Sequence, residues 1–409
     1  MKASVLIVML VLLTAGAEAR ADDGAAAVLR WNEAVLAAAE AEDGFLTLKG
    51  LRTASMMHLS MHDALSLTEG SNPENAAMFA AFVVATDQYP DLVERFEALL
   101  GDTLTGELSA DDERLGRSLA EAIIASRDGD GWNGQPEYSW HPMGPGVYAE
   151  FSEHSGTPEG FIFGSGWAQA RGFALTSPDQ FMSPPPPAID SSDYTRAFDE
   201  VRRLGRFQSM QRTPDQTHLA LWWKDFVENS HNRLARDLAA REDLDMQTTA
   251  RLFALLNTAI FDAYVASFSN KFHYNHWRPY TAIRWAEHDG NDQTVAEPTW
   301  NNTHRHTYAF PSYPSAHGTA CAAAMTVLED TFGGEYGFVM STPSVDIAGP
   351  FSEKLAMDPP TRSFDSFQSA ARECADSRVY LGIHFRYDSD AGNALGREVG
   401  MNVVEKLLQ

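Results

Sequence analysis

The sequence predicts an all-α protein. Three observations carry that expectation. Ala, Leu and Met recur at helical spacing, β-branched runs are few, and neither a strand-rich region nor a short tandem repeat occurs. In chain order, helices are expected over 25–42, 49–69, 75–88 and 109–127, the last opening on the capping pattern Ser109-Ala110-Asp111-Asp112. Residues 128–178 differ, being rich in Gly, Pro and aromatic residues. They are expected to form a long structured loop, because Trp132, Trp140 and Trp167 should pack rather than face solvent. Pro184 to Pro187 make a stiff polyproline connector. Helical spacing resumes over 192–203, 213–229, 244–268, 315–331, 363–381 and 390–408. His62-Asp63-Ala64 and Phe261-Asp262-Ala263 echo each other and hint at two related helical halves.

The 409 residues carry 31 Lys and Arg against 56 Asp and Glu, a net charge of -25. Such a balance argues against a nucleic-acid binder, which needs a basic face, and against docking on anionic lipid. An anionic ligand would need a few cations gathered in one pocket against the overall field. The chain opens on Met1-Lys2, an apolar run from Val5 to Leu13, and small-x-small sites at Ala17-Glu18-Ala19 and Ala19-Arg20-Ala21. Residues 1–21 therefore read as a secretory signal peptide, too short in its apolar part to span a bilayer. Its removal takes Lys2 and Arg20 against Glu18 and leaves 29 basic and 55 acidic residues. The mature chain is expected to be exported, periplasmic or extracellular, with no membrane span. Export permits a disulfide between Cys321 and Cys374, but a chain this large does not require one, so their pairing stays open.

Three segments carry the chemistry. In Lys271 to Pro279 (KFHYNHWRP), Lys271 and Arg278 are seven apart, one side of a continuous helix. Pro279, however, biases Arg278 toward an extended backbone and favours a helix end nearby. In Phe310 to Gly318 (FPSYPSAHG), Ser315 is a natural N-cap, with Ala316 and His317 in the first turn. That turn offers free N–H groups and a positive dipole end to an anion. In Ser377 to Asp388 (SRVYLGIHFRYD), Gly382 can end the helix after Leu381. His384 and Asp388 are four apart, close enough for the carboxylate to fix the imidazole tautomer. Arg386 reads as a solvated side chain. Each segment alone also fits a surface ion pair or a structural histidine. Together they supply three cations, two histidines, a serine and a helix start, which suits a tetrahedral or trigonal oxyanion.

Lys-x6-Arg-Pro, then Pro-Ser-x-His, then Ser-Arg-x5-His-x3-Asp resembles the three-part pattern of the type 2 phosphatidic acid phosphatase superfamily. The full chain is more similar to its vanadium-dependent haloperoxidase branch. Supporting stretches are Trp31-Asn32-Glu33, residues 57–64 (MHLSMHDA), 212–216 (RTPDQ), 277–284 (WRPYTAIR) and 382–386 (GIHFR). The resemblance implies one large all-α domain of two helical-bundle halves, 22–190 with the long loop and 191–409 with the site. It implies vanadate as cofactor, held by Lys271, Arg278, Ser315, Ala316 and Arg378. His384 would join the metal, His317 would be the acid–base, and Asp388 would orient His384. Lys271 would further polarise bound peroxide.

The implied reaction is oxidation of halide by hydrogen peroxide to a hypohalous-acid equivalent that halogenates a small organic substrate. A homodimer is left open. The pattern usually has Gly where this chain has Ala316, and a positive φ there would cost roughly 1 kcal/mol or more. Phe310, seven before His317, is similar to chloride-oxidising relatives, whereas algal bromoperoxidases carry His there. Trp277, Tyr280, Phe310 and Phe385 are expected to wall the pocket, with His304, His306 and Tyr313 as further candidates. The competing expectation is an exported acid phosphatase, in which His384 attacks phosphorus and His317 protonates the leaving oxygen. A non-catalytic binder of phosphate-like anions is the third, although binding alone does not need the His384–Asp388 pair.

Overall fold

The computed structural model describes residues 23–43, 48–67, 72–149, 161–349 and 352–408; the apolar N-terminal run assigned to export lies outside them. Among the described residues the fold is built from α-helices, with two small sheets. The first group is α1 (Asp23–Asp43), α2 (Leu48–Ser66), α3 (Pro73–Gln88), α4 (Val93–Thr103) and α5 (Ala110–Ser126). After the long loop come α6 (Ser192–Leu204), α7 (Pro214–Trp222), α8 (Val227–Arg241), α9 (Met246–Tyr274) and α10 (Pro279–Arg284). The chain closes with α11 (Ala316–Phe332), α12 (Phe367–Leu381) and α13 (Arg386–Lys406).

Helix α9 holds the two groups together. It packs on α1, α2 and α8 on one side and on α11 and α13 on the other. One apolar cluster accordingly runs from Trp31 and Met57 through Phe253 and Phe261 to Met325 and Val399. By length and composition α9 could cross a bilayer, but 94% of its most apolar stretch is buried inside the protein. Polar links cross the same seam. Asn32 donates to Asn232 at 2.8 Å, and Asn232 donates to Asn257 at 2.9 Å, joining α1, α8 and α9.

The loop after α5 is fixed by buried charge. Asp130 Oδ2 accepts from Arg52 Nε at 2.7 Å and from Arg127 Nε at 2.9 Å. Farther along, the N–H groups of Phe173, Ala174 and Leu175 converge on the buried Asp262 carboxylate of α9 at 2.7–3.0 Å. Burial pushes Asp262 up to about 6, and those three N–H groups pull against it. Helix α13 lies close on α11 because Gly392, Gly396 and Gly400 line its contact face. A Cβ on Gly396 would stand 2.1 Å from the Thr319 carbonyl oxygen, and one on Gly392 would stand 2.5 Å from that of Ser315. This stripe of hydrogen atoms lets the start of α13 reach the start of α11.

Several details depart from the sequence expectation. The helix expected over 213–229 ends at Trp222 as α7, and after a turn at Trp223 to Phe226 the separate helix α8 runs on to Arg241, mostly beyond the expected span. Nothing in the local sequence breaks it; Trp223 is drawn away by tertiary contacts, its Nε1 donating to Glu373 Oε1 at 2.8 Å. Helices α4 and α10 were not expected. Residues 361–364 form β4, paired antiparallel with β1 (Phe338–Ser341), while β2 (Ser344–Asp346) pairs with β3 (Lys354–Ala356). These strands are three or four residues long, too short to leave a period-2 signal. Arg386 is not merely solvated, for it pairs with Glu200 at 2.7 Å and with Asp376. Cys321 and Cys374 form a disulfide between α11 and α12.

Candidate active site

The three segments meet. Helix α9 ends at Asn275 in the left-handed region (φ 47°, ψ 42°), and the chain runs extended through Arg278 (φ -91°, ψ 156°) into α10. The helix therefore stops between Lys271 and Arg278, as Pro279 favours. Arg278 is 1% exposed. Its Nε donates to the Phe310 carbonyl at 2.9 Å and its Nη1 to the Ile383 carbonyl at 3.0 Å, which binds the first segment to the other two. Lys271 is fully buried, and its Nζ donates to the carbonyls of Pro311, Ser312 and Pro314 at 2.6–2.9 Å. All three of its hydrogens are committed to the turn before α11. Here it acts on the site through its charge and by shaping that turn.

Ser315 caps α11, its Oγ accepting from the Gly318 N–H at 3.2 Å. Its own N–H donates to the Asp388 carbonyl at 2.9 Å. Ala316 lies in the helix, outside the positive-φ residues, so its methyl carries no backbone strain. The first-turn N–H groups of α11 lie ahead of any acceptor within the helix. His384 Nδ1 stands 3.0 Å from Asp388 Oδ2, which also accepts from the Phe385 N–H at 3.1 Å and from the Ser312 hydroxyl. A carboxylate at Nδ1 places the proton there and leaves Nε2 with its lone pair. Ser312 was not singled out from the sequence, although it lies inside the FPSYPSAHG segment.

Arg378, on the last turn of α12, donates from Nη1 to the Trp223 carbonyl at 3.1 Å, and the His317 ring contacts that same carbonyl. Gly382 follows in the left-handed region (φ 83°), and a Cβ there would meet the Gly205 carbonyl oxygen at 2.3 Å. Gly382→Ala is therefore expected to destabilise the fold by about 2–4 kcal/mol, combining left-handed strain with overpacking. It should also shift the backbone that delivers His384. Denaturant unfolding at fixed pH checks this.

Aromatic rings floor the cations. Arg278 lies 4.7 Å from the Phe310 ring and 5.6 Å from that of Tyr308, and Lys271 lies 5.3 Å from Phe310. His304, Tyr308 and Phe310 stack in series at 5.3 and 5.4 Å. Of the four rings expected to wall the pocket, only Phe310 faces the cations this way. Trp277, Tyr280 and Phe385 instead join a separate apolar cluster with Tyr194, Phe198 and Trp300. Apolar area decides their place, since an indole or phenyl ring gains most from full burial. Tyr313 lies against Tyr274, its hydroxyl donating to the Pro184 carbonyl. Tyr308, which hydrogen-bonds Arg378, was missed because an isolated Tyr in a loop carries no pattern.

The electrostatics fit an anion. Burial, reinforced by Arg378, holds His317 well below the usual imidazole range; burial with Arg278, Lys271 and Arg378 does the same to His384. Burial lowers Lys271 as well, and Arg278 falls to about 10. Burial pushes Asp388 up to about 7, opposed by the Ser312 hydroxyl and Lys271. Lys271 and Arg278 thus share one buried acid, and Arg378 adds a third buried cation beside His384. Arg278 Nη2, Arg378 Nε and His317 Nε2 are buried without a partner among the described residues. The two guanidinium atoms are orphaned donors and His317 Nε2 an orphaned acceptor, and such buried groups cost about 1–3 kcal/mol each, more when charged. Vanadate oxygens match the two guanidinium donors, a protonated ligand oxygen matches His317 Nε2, and the free His384 Nε2 matches the metal.

Tyr264, whose hydroxyl lies in the field of Arg378, is paired with a further buried acid. Tyr264 Oη donates to Glu228 Oε2 at 2.9 Å, and burial pushes Glu228 up to about 7. Its folded pKa exceeds the unfolded one, so its contribution is fully present below about pH 4.5 and is lost as pH rises through about 7. Glu228→Gln is therefore expected to match the parent near pH 4.5 and to exceed it by about 3 kcal/mol near pH 9. Unfolding curves at the two pH values check the sign.

The comparisons with known proteins agree with the geometry. Residues 251–409 match the family model of the vanadium chloroperoxidase (VCPO) second helical-bundle domain. The C-terminal bundle, which carries the site, is thus the part of the chain that resembles this family's domain. The vanadium chloroperoxidase of Curvularia inaequalis is 25% identical over 273 residues, which is 53% of this chain and 44% of that protein's length. The chain thus matches less than half of that curated relative. A bacterial vanadium-dependent iodoperoxidase structure superposes with TM-score 0.73 at 23% identity, covering 94% of this chain and 96% of the other. A bacterial vanadium-dependent chloroperoxidase follows at TM-score 0.66 and 17% identity, covering 88% and 92%. The fold is that of the vanadium haloperoxidases, as the sequence resemblance implied.

Proposed function

We propose that the protein is a vanadate-dependent haloperoxidase, oxidising halide with hydrogen peroxide to a hypohalous-acid equivalent that halogenates a small organic substrate. One observation carries this reading: His384 Nε2 is left free by Asp388 beside buried, unpartnered donors of Arg278 and Arg378. When bound, vanadate supplies a Lewis acid that holds hydrogen peroxide for attack by halide. His384 would be its ligand through Nε2, and Asp388 with Ser312 holds that ring in the required tautomer. Arg278 and Arg378 would hold the oxygens, with the first-turn N–H groups of α11. Lys271 contributes positive charge, since its hydrogens are taken by carbonyls. His317, neutral and with Nε2 unpartnered, accepts the proton that hydrogen peroxide gives up.

The deciding experiment is a vanadate titration with bromide and peroxide, run beside phosphomonoester hydrolysis on the same preparation. Halogenation that rises with vanadate supports the proposal. Ester hydrolysis without halogenation overturns it in favour of a phosphatase using His384 as nucleophile. An exported location is part of the same proposal, supported by the N-terminal apolar run, the acidic composition and the Cys321–Cys374 disulfide.

A further inference from the structure

The Cys321–Cys374 disulfide lies one helical turn from two groups of the site, one on each helix. Cys321 follows His317 by four residues on α11, and Cys374 precedes Arg378 by four on α12. Residues four apart share a helix face, so sulfur and site residue stand on the same side of each helix. A ring nitrogen of His317 and the two sulfurs lie within 4.8 Å of one another. The Trp223 carbonyl makes a second tie, accepting from Arg378 Nη1 and contacting the His317 ring. The two helices are thus linked twice around one pair of residues. Around that pair their contact is between small groups, a Cβ on Gly318 of α11 meeting the Ala375 Cβ of α12 at 3.7 Å, while at the other end of the helices Gln368 donates to Glu329 and the Phe367 and Phe332 rings lie 6.2 Å apart. Small side chains of that kind allow sliding. By contrast, α13 is locked to α11 by the glycine stripe.

We infer that the Cys321–Cys374 bridge is a positioning element of the site, fixing Arg378 of α12 against His317 of α11 and so setting oxyanion affinity, rather than a general staple of the fold. This rests on the oxyanion reading proposed above. The apolar cluster joining α9, α11, α12 and α13 holds both cysteines among many other apolar side chains, so packing beyond the bridge also ties these helices together. Alanine at both positions keeps the buried sites apolar.

The test uses full-length Cys321→Ala/Cys374→Ala protein, vanadate-free and well below its melting temperature. Calorimetric titration with orthovanadate should show a dissociation constant raised at least about tenfold, the scale of losing a group that orients a binding residue. Inorganic phosphate serves as a second probe. The decisive readout is a double-mutant cycle with Arg378→Ala. If the bridge acts through Arg378, removing it costs little once Arg378 is gone, whereas a general structural role gives additive losses. Unchanged affinity with only a lower melting temperature overturns the inference, as do additive losses or a double variant that does not fold. A parent protein that binds neither oxyanion sinks the oxyanion reading and this inference with it. A parent that binds orthovanadate yet oxidises no halide removes only the haloperoxidase proposal, and the cycle still decides.

Discussion

His384→Ala is expected to abolish stable vanadate binding, with a dissociation constant raised at least about a hundredfold, the upper end of what loss of a supporting group alone costs. The ring is placed for one task. Its Nδ1 is tied to Asp388 Oδ2 at 3.0 Å, and that oxygen is held in turn by the Ser312 hydroxyl and the Phe385 N–H. Those contacts leave Nε2 as the single unshielded imidazole nitrogen. Alanine removes the coordinate bond while Arg278 and Arg378 remain, so a weak electrostatic affinity should survive. His317→Ala should behave differently. His317 contributes an unpartnered Nε2 beside Arg378, and its loss should leave vanadate affinity within about tenfold while slowing peroxide turnover about a hundredfold or more. Equilibrium titration and steady-state kinetics on both variants check the contrast. Full vanadate affinity in His384→Ala would mean that the ligand assignment is wrong.

That contrast depends on features of unequal visibility in the sequence. Ser315 was legible as an N-cap because a hydroxyl after two prolines and before an alanine-rich run has few other uses. The end of α9 was legible from Pro279, and the end of α12 from Gly382. The His384–Asp388 pair was legible from its spacing, although the two residues straddle the start of α13 rather than sharing a helix turn. The partners of the cations could not be read. Lys271 is satisfied by three carbonyls, Arg278 by two and Arg378 by that of Trp223. A carbonyl has no residue identity, so no motif announces it. The same holds for the turn between α7 and α8, which exists to deliver the Trp223 carbonyl. The disulfide was open for a related reason, since pairing needs geometry that a sequence separation of 53 does not encode locally.

Net charge misleads in the same manner. A chain of -25 looks unsuited to an anion, yet Lys271, Arg278 and Arg378 converge on His384 in the buried site. Burial keeps the remote acidic surface from cancelling them, because exposed charges beyond about 10 Å are screened by salt. The surface surplus can slow the approach of halide at low ionic strength without weakening the grip on a bound oxyanion.

A second large effect is expected far from the site, at Asp130. Arg52 and Arg127 are 5% and 4% exposed, and both donate to Asp130 Oδ2. Their remaining hydrogens are largely spent on Gln88 and on the carbonyls of Arg127, Arg171 and Gly172. Asp130→Ala leaves two buried guanidinium groups with no carboxylate between them, and loss of one partner in a buried ion pair costs about 3–5 kcal/mol. The damage should travel along the chain. Arg127 lies 4.0 Å from the Phe173 ring, and Phe173 to Leu175 are pinned to Asp262 on α9. Loosening that anchor frees the long loop before it disturbs the far end of α9, where Lys271 sits. Global unfolding should therefore shift by several kcal/mol in denaturant, with early hydrogen exchange at residues 171–175. Orthovanadate affinity at low temperature should stay near the parent value. A large loss of affinity in a still-folded Asp130→Ala protein would instead show that the loop and the site move together.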